Sequence, residues 1–191
     1  NSKVPVVNSL SDDYHPCQIL ADLLTIQEHK GTLAGLNFAY IGDAFNNMAN
    51  SYAIGGALAG MKVTLCGPKG YATDPAILER ASQIAAQTGG SVRFTHDPND
   101  AIQAADVVAT DTWISMGQEA EKEQRIAEFA GFTIDQALMS NANPEAIVLH
   151  CLPAYRGYEI SADVLDGPQS VIWDEAENRL HAQKALLVWL D

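Results

Sequence analysis

The residues of this chain best suited to chemistry stand in a few short stretches. His150 and Cys151 end the apolar run Ile147-Val148-Leu149, and Leu152-Pro153 halts it. A short buried strand of this kind belongs to a parallel sheet, and ligands of open α/β sheets bind beyond the carboxyl ends of such strands. On this reading His150 and Cys151 face a crevice; the alternative is a small buried thiol beside a satisfied polar residue. His15-Pro16-Cys17-Gln18 precedes Ile19, Leu20, Leu23, Leu24 and Ile26, which recur at helical spacing. Proline suits a first helical turn, so His15 and Gln18 would stand at a helix N-terminus, where free N–H groups and the dipole favour a carbonyl or an anion. Asn46-Asn47 offers amide donors and acceptors suited to the ends of an amino acid, or an ordinary turn and cap. The stretch from Asp111 to Gly117 brings a carboxylate, an indole, a hydroxyl and a glycine to the end of another apolar run. A loop of that chemistry is a site candidate.

The elements that must position these residues alternate along the chain. Strands are expected at 37–41, 62–66, 91–95, 106–110 and 147–152, with a last one at Val171-Ile172-Trp173 and a short strand or linker at 132–134. Helices are expected at 16–30, from Asn47 to near Gly60, at 76–88, 98–104, 119–129, from Asp135 to near Asn143, and at 174–191, with a turn through 161–165. The charged helix at 119–129 reads as solvent-facing and structural. Such alternation implies an α/β fold: a doubly wound, mainly parallel sheet with helices on both faces, Rossmann-like. It lacks the dinucleotide fingerprint, because Gly42-Asp43-Ala44 has no second glycine and the next strand ends in Cys66-Gly67-Pro68 rather than an acid. No cofactor is implied. A zinc hydrolase built from His15, Cys17, His150 and Cys151 is disfavoured by the absence of any Cys-x-x-Cys or His-x-x-x-His pair, so no metal is expected.

Composition narrows the classes further. Apolar residues make up 47% and charged residues 18%, a globular balance with no run long enough to cross a bilayer. A net charge of −13 argues against a nucleic-acid partner. Three cysteines without repeated spacing suit a reducing cytoplasm, and no signal peptide is evident. The 191 residues read as one domain. Asn1 in place of a methionine, and an apolar helical pattern running to Leu190-Asp191, lead us to expect a piece of a longer protein.

Five separated motifs occur together: His15-Pro16-Cys17-Gln18, Gly42-Asp43 through Asn47-Met48, Asp111-Thr112-Trp113-Ile114-Ser115-Met116-Gly117, His150-Cys151-Leu152-Pro153 and Glu175-Ala176-Glu177-Asn178-Arg179. With them the chain, from about residue 10 onward, resembles the second, ornithine-binding domain of the ornithine carbamoyltransferases. The resemblance implies that His15 and Gln18 contact the carbamoyl group of carbamoyl phosphate and that Arg179 lies near its oxygen. It implies that Asn47, Asp111, Ser115 and the backbone at Met116 hold the α-amino and α-carboxylate groups of L-ornithine. Cys151 and the Leu152 carbonyl would flank the reacting δ-nitrogen, with Cys151 and Asp111 orienting the amine and forming no covalent intermediate. The family's Ser-x-Arg-Thr phosphate loop, which lies in its first domain, does not occur here. The implied partners are the two substrates, that missing N-terminal domain, and further copies in a homotrimer or larger assembly. Other readings are a non-catalytic amino-acid-binding module and a related enzyme with another amine acceptor.

Overall fold

Phe38 and Tyr40 join one hydrophobic core while Ala39 and Ile41 join another, the alternation that extended backbone imposes on successive side chains. The computed structural model describes residues 2–114, 117 and 119–191. In it β1 (Asn37–Ile41), β2 (Lys62–Cys66), β3 (Ser91–Thr95), β4 (Val107–Thr110) and β5 (Ile147–His150) form a parallel sheet in the order β3-β2-β1-β4-β5. The central strands are buried on both faces, as their continuous apolar runs require, whereas edge strand β3 is partly exposed.

Helices α1 (Pro16–Lys30), α2 (Asn47–Leu58) and α3 (Pro75–Thr88) contribute to the core that holds Phe38 and Tyr40. The opposite core takes side chains from α4 (Pro98–Ile102), α6 (Gln136–Met139), α7 (Ala162–Leu165) and the first turn of α8 (Ile172–Leu190), whereas α5 (Lys122–Glu128) lies outside both. The sheet is therefore wound on both sides, as expected. Local signals set the helix ends: Pro16 and Pro75 stand in first turns, the Asp74 and Asn46 side chains accept from Ala76 N and Ala49 N, and Gly31 and Gly89 end helices at φ 74° and 82°. Small residues in α2 let it lie close on the sheet. A methyl group on Gly56 would stand 2.4 Å from Val63 Cγ2.

Two expected elements differ. Val171-Ile172-Trp173 is not a strand: Ser170 makes a single bridge to Val148, Val171 N donates to Val148 O, and Ile172 already opens α8. Its β-branched residues fit a strand, but the acidic Asp174 and Glu175 favour a helix start, and only one residue has room to pair with β5. The charged stretch at 119–129 does not face solvent throughout, since Arg125 of α5 is buried and reaches the Asp43 carboxylate at 2.9 and 3.0 Å. The stretch at 132–134 contributes one bridge, Ile134 to Ile160.

Candidate active site

The chain leaves β1 toward β2 and β3, then crosses back to place β4 and β5 on β1's other side, so the connections diverge between β1 and β4. Such a divergence opens a crevice at the strands' carboxyl ends. Here the loops after β1 and β4 meet: Asn46 Nδ2 donates to Asp111 Oδ2 at 3.2 Å and to the Tyr40 hydroxyl at 3.2 Å. Asn46 is thus both the cap of α2 and a prop for Asp111.

Asp111 is the hub of this end. Its Oδ1 accepts from Thr112 N at 2.7 Å and from the Cys151 thiol at 3.2 Å. Burial raises the Asp111 pKa, while nearby His150 and the Cys151 hydrogen bond work against that rise. Burial, followed by the Asp111 and Glu175 carboxyls, pushes the Cys151 thiol well above its ordinary range. Cys151 is therefore a protonated donor at neutral pH, unsuited to nucleophilic attack.

His150 does not face the crevice. Its side chain and that of Glu159 are fully buried, although a ring nitrogen stays within 4.8 Å of the Asp111 and Cys151 donor atoms. Its Nδ1 accepts from Leu152 N at 3.0 Å, which leaves the proton on Nε2 for Glu159 Oε1 at 3.2 Å. Leu152 is held at φ 59°, a conformation costly for a branched side chain. His150 thus braces the backbone that carries Leu152.

A polar seam between α1 and α8 adjoins this cluster. Arg179 Nη1 donates to Gln18 Oε1 at 2.6 Å, and Gln18 Nε2 donates to Asp22 Oδ1 at 2.7 Å and Glu175 Oε1 at 3.2 Å. Glu175 Oε2 accepts from His150 N at 2.8 Å, which ties the seam to β5. His15 is half-buried, its backbone N–H donating to Ser51 Oγ at 2.8 Å. Burial and the Arg179 charge lower the His15 pKa, so its ring is neutral at pH 7. The network runs unbroken from Arg179 through Gln18, Glu175 and the backbone of residues 150–151 to Cys151, Asp111 and Asn46.

A sequence model of the aspartate/ornithine carbamoyltransferase Asp/Orn binding domain matches residues 34–190. The chain belongs to this family. A second model, of the family's carbamoyl-P binding domain, matches residues 1–28, the segment that supplies His15 and Gln18. An ornithine carbamoyltransferase from Renibacterium salmoninarum is 62% identical over 190 residues, covering all of this chain and 61% of that protein. The chain thus spans about three-fifths of that relative's length. The ornithine carbamoyltransferase structure from Pyrococcus furiosus superposes with a TM-score of 0.93 at 50% identity, over 97% of this chain and 59% of that one. An N-acetyl-L-ornithine transcarbamylase structure gives 0.85 at 36% identity, over 100% and 61%.

Within this family member, the structure joins Gln18, Asp111, Cys151 and Arg179 in one network, with His15 beside it. Asn47 Nδ2 donates to Ser11 O at 2.9 Å, while its backbone carbonyl accepts from Ser51 Oγ, the partner of His15 N. Ser115 and Met116 fall outside the described residues. Trp113 is a core residue, stacked on Phe129 and Tyr158. The four residues of the zinc alternative are not gathered: Cys17 Sγ contacts Asn8 O instead. Among the described residues, Asp111, His150 and Cys151 bring donor atoms within 4.8 Å of one another. The Cys151 thiol already bonds Asp111, and the His150 ring bonds Leu152 N and Glu159, so these are hydrogen-bonded groups rather than a vacant ligand set. Sequence reading singled out Asn46 with Asn47 but missed Asp22 and Glu159 as parts of the site. Only Asp22 left a signal, four residues after Gln18 and so on the same helical face.

Proposed function

We propose that this chain is the ornithine-binding part of an enzyme that transfers the carbamoyl group of carbamoyl phosphate to the δ-amine of L-ornithine, giving L-citrulline and phosphate. The observation that carries the reading is the continuous network from Arg179 to Asp111, which links a carbonyl-directed end to an amine-directed end. At the first end, neutral His15, Gln18 and Arg179 hold the carbamoyl group, and the guanidinium stabilises the negative charge that grows on its oxygen as the amine attacks. At the other, Asp111 with Asn47, Ser115 and the backbone at Met116 hold the amino-acid end. Cys151 and the Leu152 carbonyl then orient the neutral δ-nitrogen. The new C–N bond forms, the C–O bond to phosphate breaks, and the amine loses a proton. A protonated Cys151 fits an orienting role.

The reading extends to the whole protein. Its domain unit is the ornithine-binding domain, completed by a carbamoyl-phosphate domain that supplies the phosphate clamp, in an assembly of three or more copies. It works in arginine metabolism in the cytoplasm, without cofactor, metal, nucleic acid or membrane. Three free thiols support a reducing setting, and no helix of the described residues is long and apolar enough to cross a membrane. The similarity to an N-acetyl-L-ornithine transcarbamylase keeps a different amine acceptor as the second reading.

Initial rates of the complete protein with carbamoyl phosphate and, separately, ornithine, acetylornithine and putrescine test this. Citrulline formation fastest with ornithine is expected. Preference for another acceptor would overturn the assignment of substrate, and calorimetric ornithine binding without any turnover would favour a binding module.

A further inference from the structure

Asp22 and Glu175 are carboxyls with no place in the chemistry just described, yet both are almost wholly buried beneath it. They come from different helices, α1 and α8, and converge on one side chain. Gln18 Nε2 spends one proton on Asp22 Oδ1 at 2.7 Å and the other on Glu175 Oε1 at 3.2 Å. An amide held by both its hydrogens cannot flip. Its oxygen is then committed to the opposite direction, where Arg179 Nη1 donates to it at 2.6 Å. Glu175 and Arg179 lie one turn apart on α8, so the carboxyl and the guanidinium flank Gln18 from the same helix. The second Glu175 oxygen accepts from His150 N at 2.8 Å and fixes the seam to the end of β5, one residue before Cys151.

We propose that Asp22 and Glu175 are a shared-proton carboxyl pair that acts as a positioning device, locking the Gln18 amide in one orientation and through it aiming Arg179. Two adjoining buried carboxyls cannot both ionise cheaply, and one proton between them turns repulsion into a hydrogen bond. The groups that face the pair are consistent with this: Arg179 from α8, Tyr52 from α2, the backbone N–H of His150 and the Cys151 thiol beyond β5. Burial raises Asp22 to about 6, and burial with the Asp22 charge holds Glu175 well above the ordinary carboxylate range, so the pair keeps one proton between them. The protonated carboxyl donates to its neighbour, and Glu175 still accepts from His150 N. The link to catalysis rests on the proposed carbamoyl transfer; the locking of Gln18 does not.

Asp22→Asn keeps an acceptor for Gln18 Nε2 and supplies a fixed donor toward Glu175, whereas Glu175→Ala removes the acceptors of both Gln18 Nε2 and His150 N. In the complete protein, E175A is expected to lower kcat by about tenfold to a hundredfold, the scale of one or two lost buried hydrogen bonds, with little change in the KM for ornithine. D22N should keep most of the wild-type rate. In 15N-labelled protein the Gln18 side-chain amide should give two resolved, exchange-protected proton signals that vanish in E175A and persist in D22N. A purely space-filling role predicts lowered thermal stability in E175A with kcat and the Gln18 signals unmoved, and that result would overturn the proposal. So would D22N failing alongside E175A, which would show that one proton between the two groups is not what holds Gln18. If the wild-type protein carbamoylates some other amine or none, the substrate reading fails while the Gln18 signals still decide the positioning role.

Discussion

Cys151 shows how little a residue type says before its surroundings are known. A thiol at a strand's end is compatible with a nucleophile, a metal ligand or a core residue. Its Sγ donates to Asp111 at 3.2 Å, and burial among carboxyls keeps it protonated, which removes the nucleophile reading. Cys151→Ser is therefore expected to leave a folded, weakened enzyme: a shorter, differently placed donor should cost about tenfold to a hundredfold in kcat/KM. Steady-state assays with intact-mass measurement during turnover check this. A mass adduct on the wild-type chain together with a dead serine variant would restore covalent catalysis. His150 makes the complementary point. The sequence placed it at the right strand end, but only the fold decides that its ring is fully buried against Glu159.

At the scale of elements, most of the fold was legible because its signals are local. Proline in a first helical turn, glycine after the last and short apolar runs between them located the strands β1 to β5 and most of the helices. The failures came where a tertiary contact outvoted the local pattern. Val171 and Ile172 look like a strand but sit where the chain turns into α8 after one bridge. The highly charged α5 looks solvated but sends Arg125 inward, where it stacks on Tyr71 at 4.9 Å and pairs with Asp43. Asp43 follows β1 and shares its loop with Asn46, so this ion pair ties α5 to the wall of the site. Burial raises the Asp43 pKa despite the pairing, which marks a carboxylate that depends on its partner. Arg125→Ala should strand that charge and cost about 3–5 kcal/mol of stability. Urea denaturation followed by circular dichroism measures it, and a loss under about 1 kcal/mol would mean that the pair is solvent-compensated.

At the scale of the whole molecule, the chain spans 61% of the Renibacterium salmoninarum relative, and its 191 residues hold no Ser-x-Arg-Thr phosphate loop. Under the proposed function the network receives a carbamoyl group and an amino acid, and among its described residues Arg179, already bonded to Gln18, is the one cation for a phosphate. The isolated 191-residue chain is therefore expected to fold and to give negligible turnover, because positioning of the leaving group supplies a large share of the rate. Citrulline formation at a rate near that of the complete protein would show that the phosphate needs no further clamp. What the sequence by itself determined was the alternating α/β order, the strand ends that carry Asp111 and Cys151, and the helix start that carries His15 and Gln18. Each is encoded within a few neighbouring residues. What only the tertiary structure decided was which of these meet: Asn46 with Asp111, Gln18 with Arg179, and Asp22 with Glu175 across 153 positions of chain. Pairings between distant segments depend on strand order and on the rotation of each helix, and neither is written in any local stretch of residues.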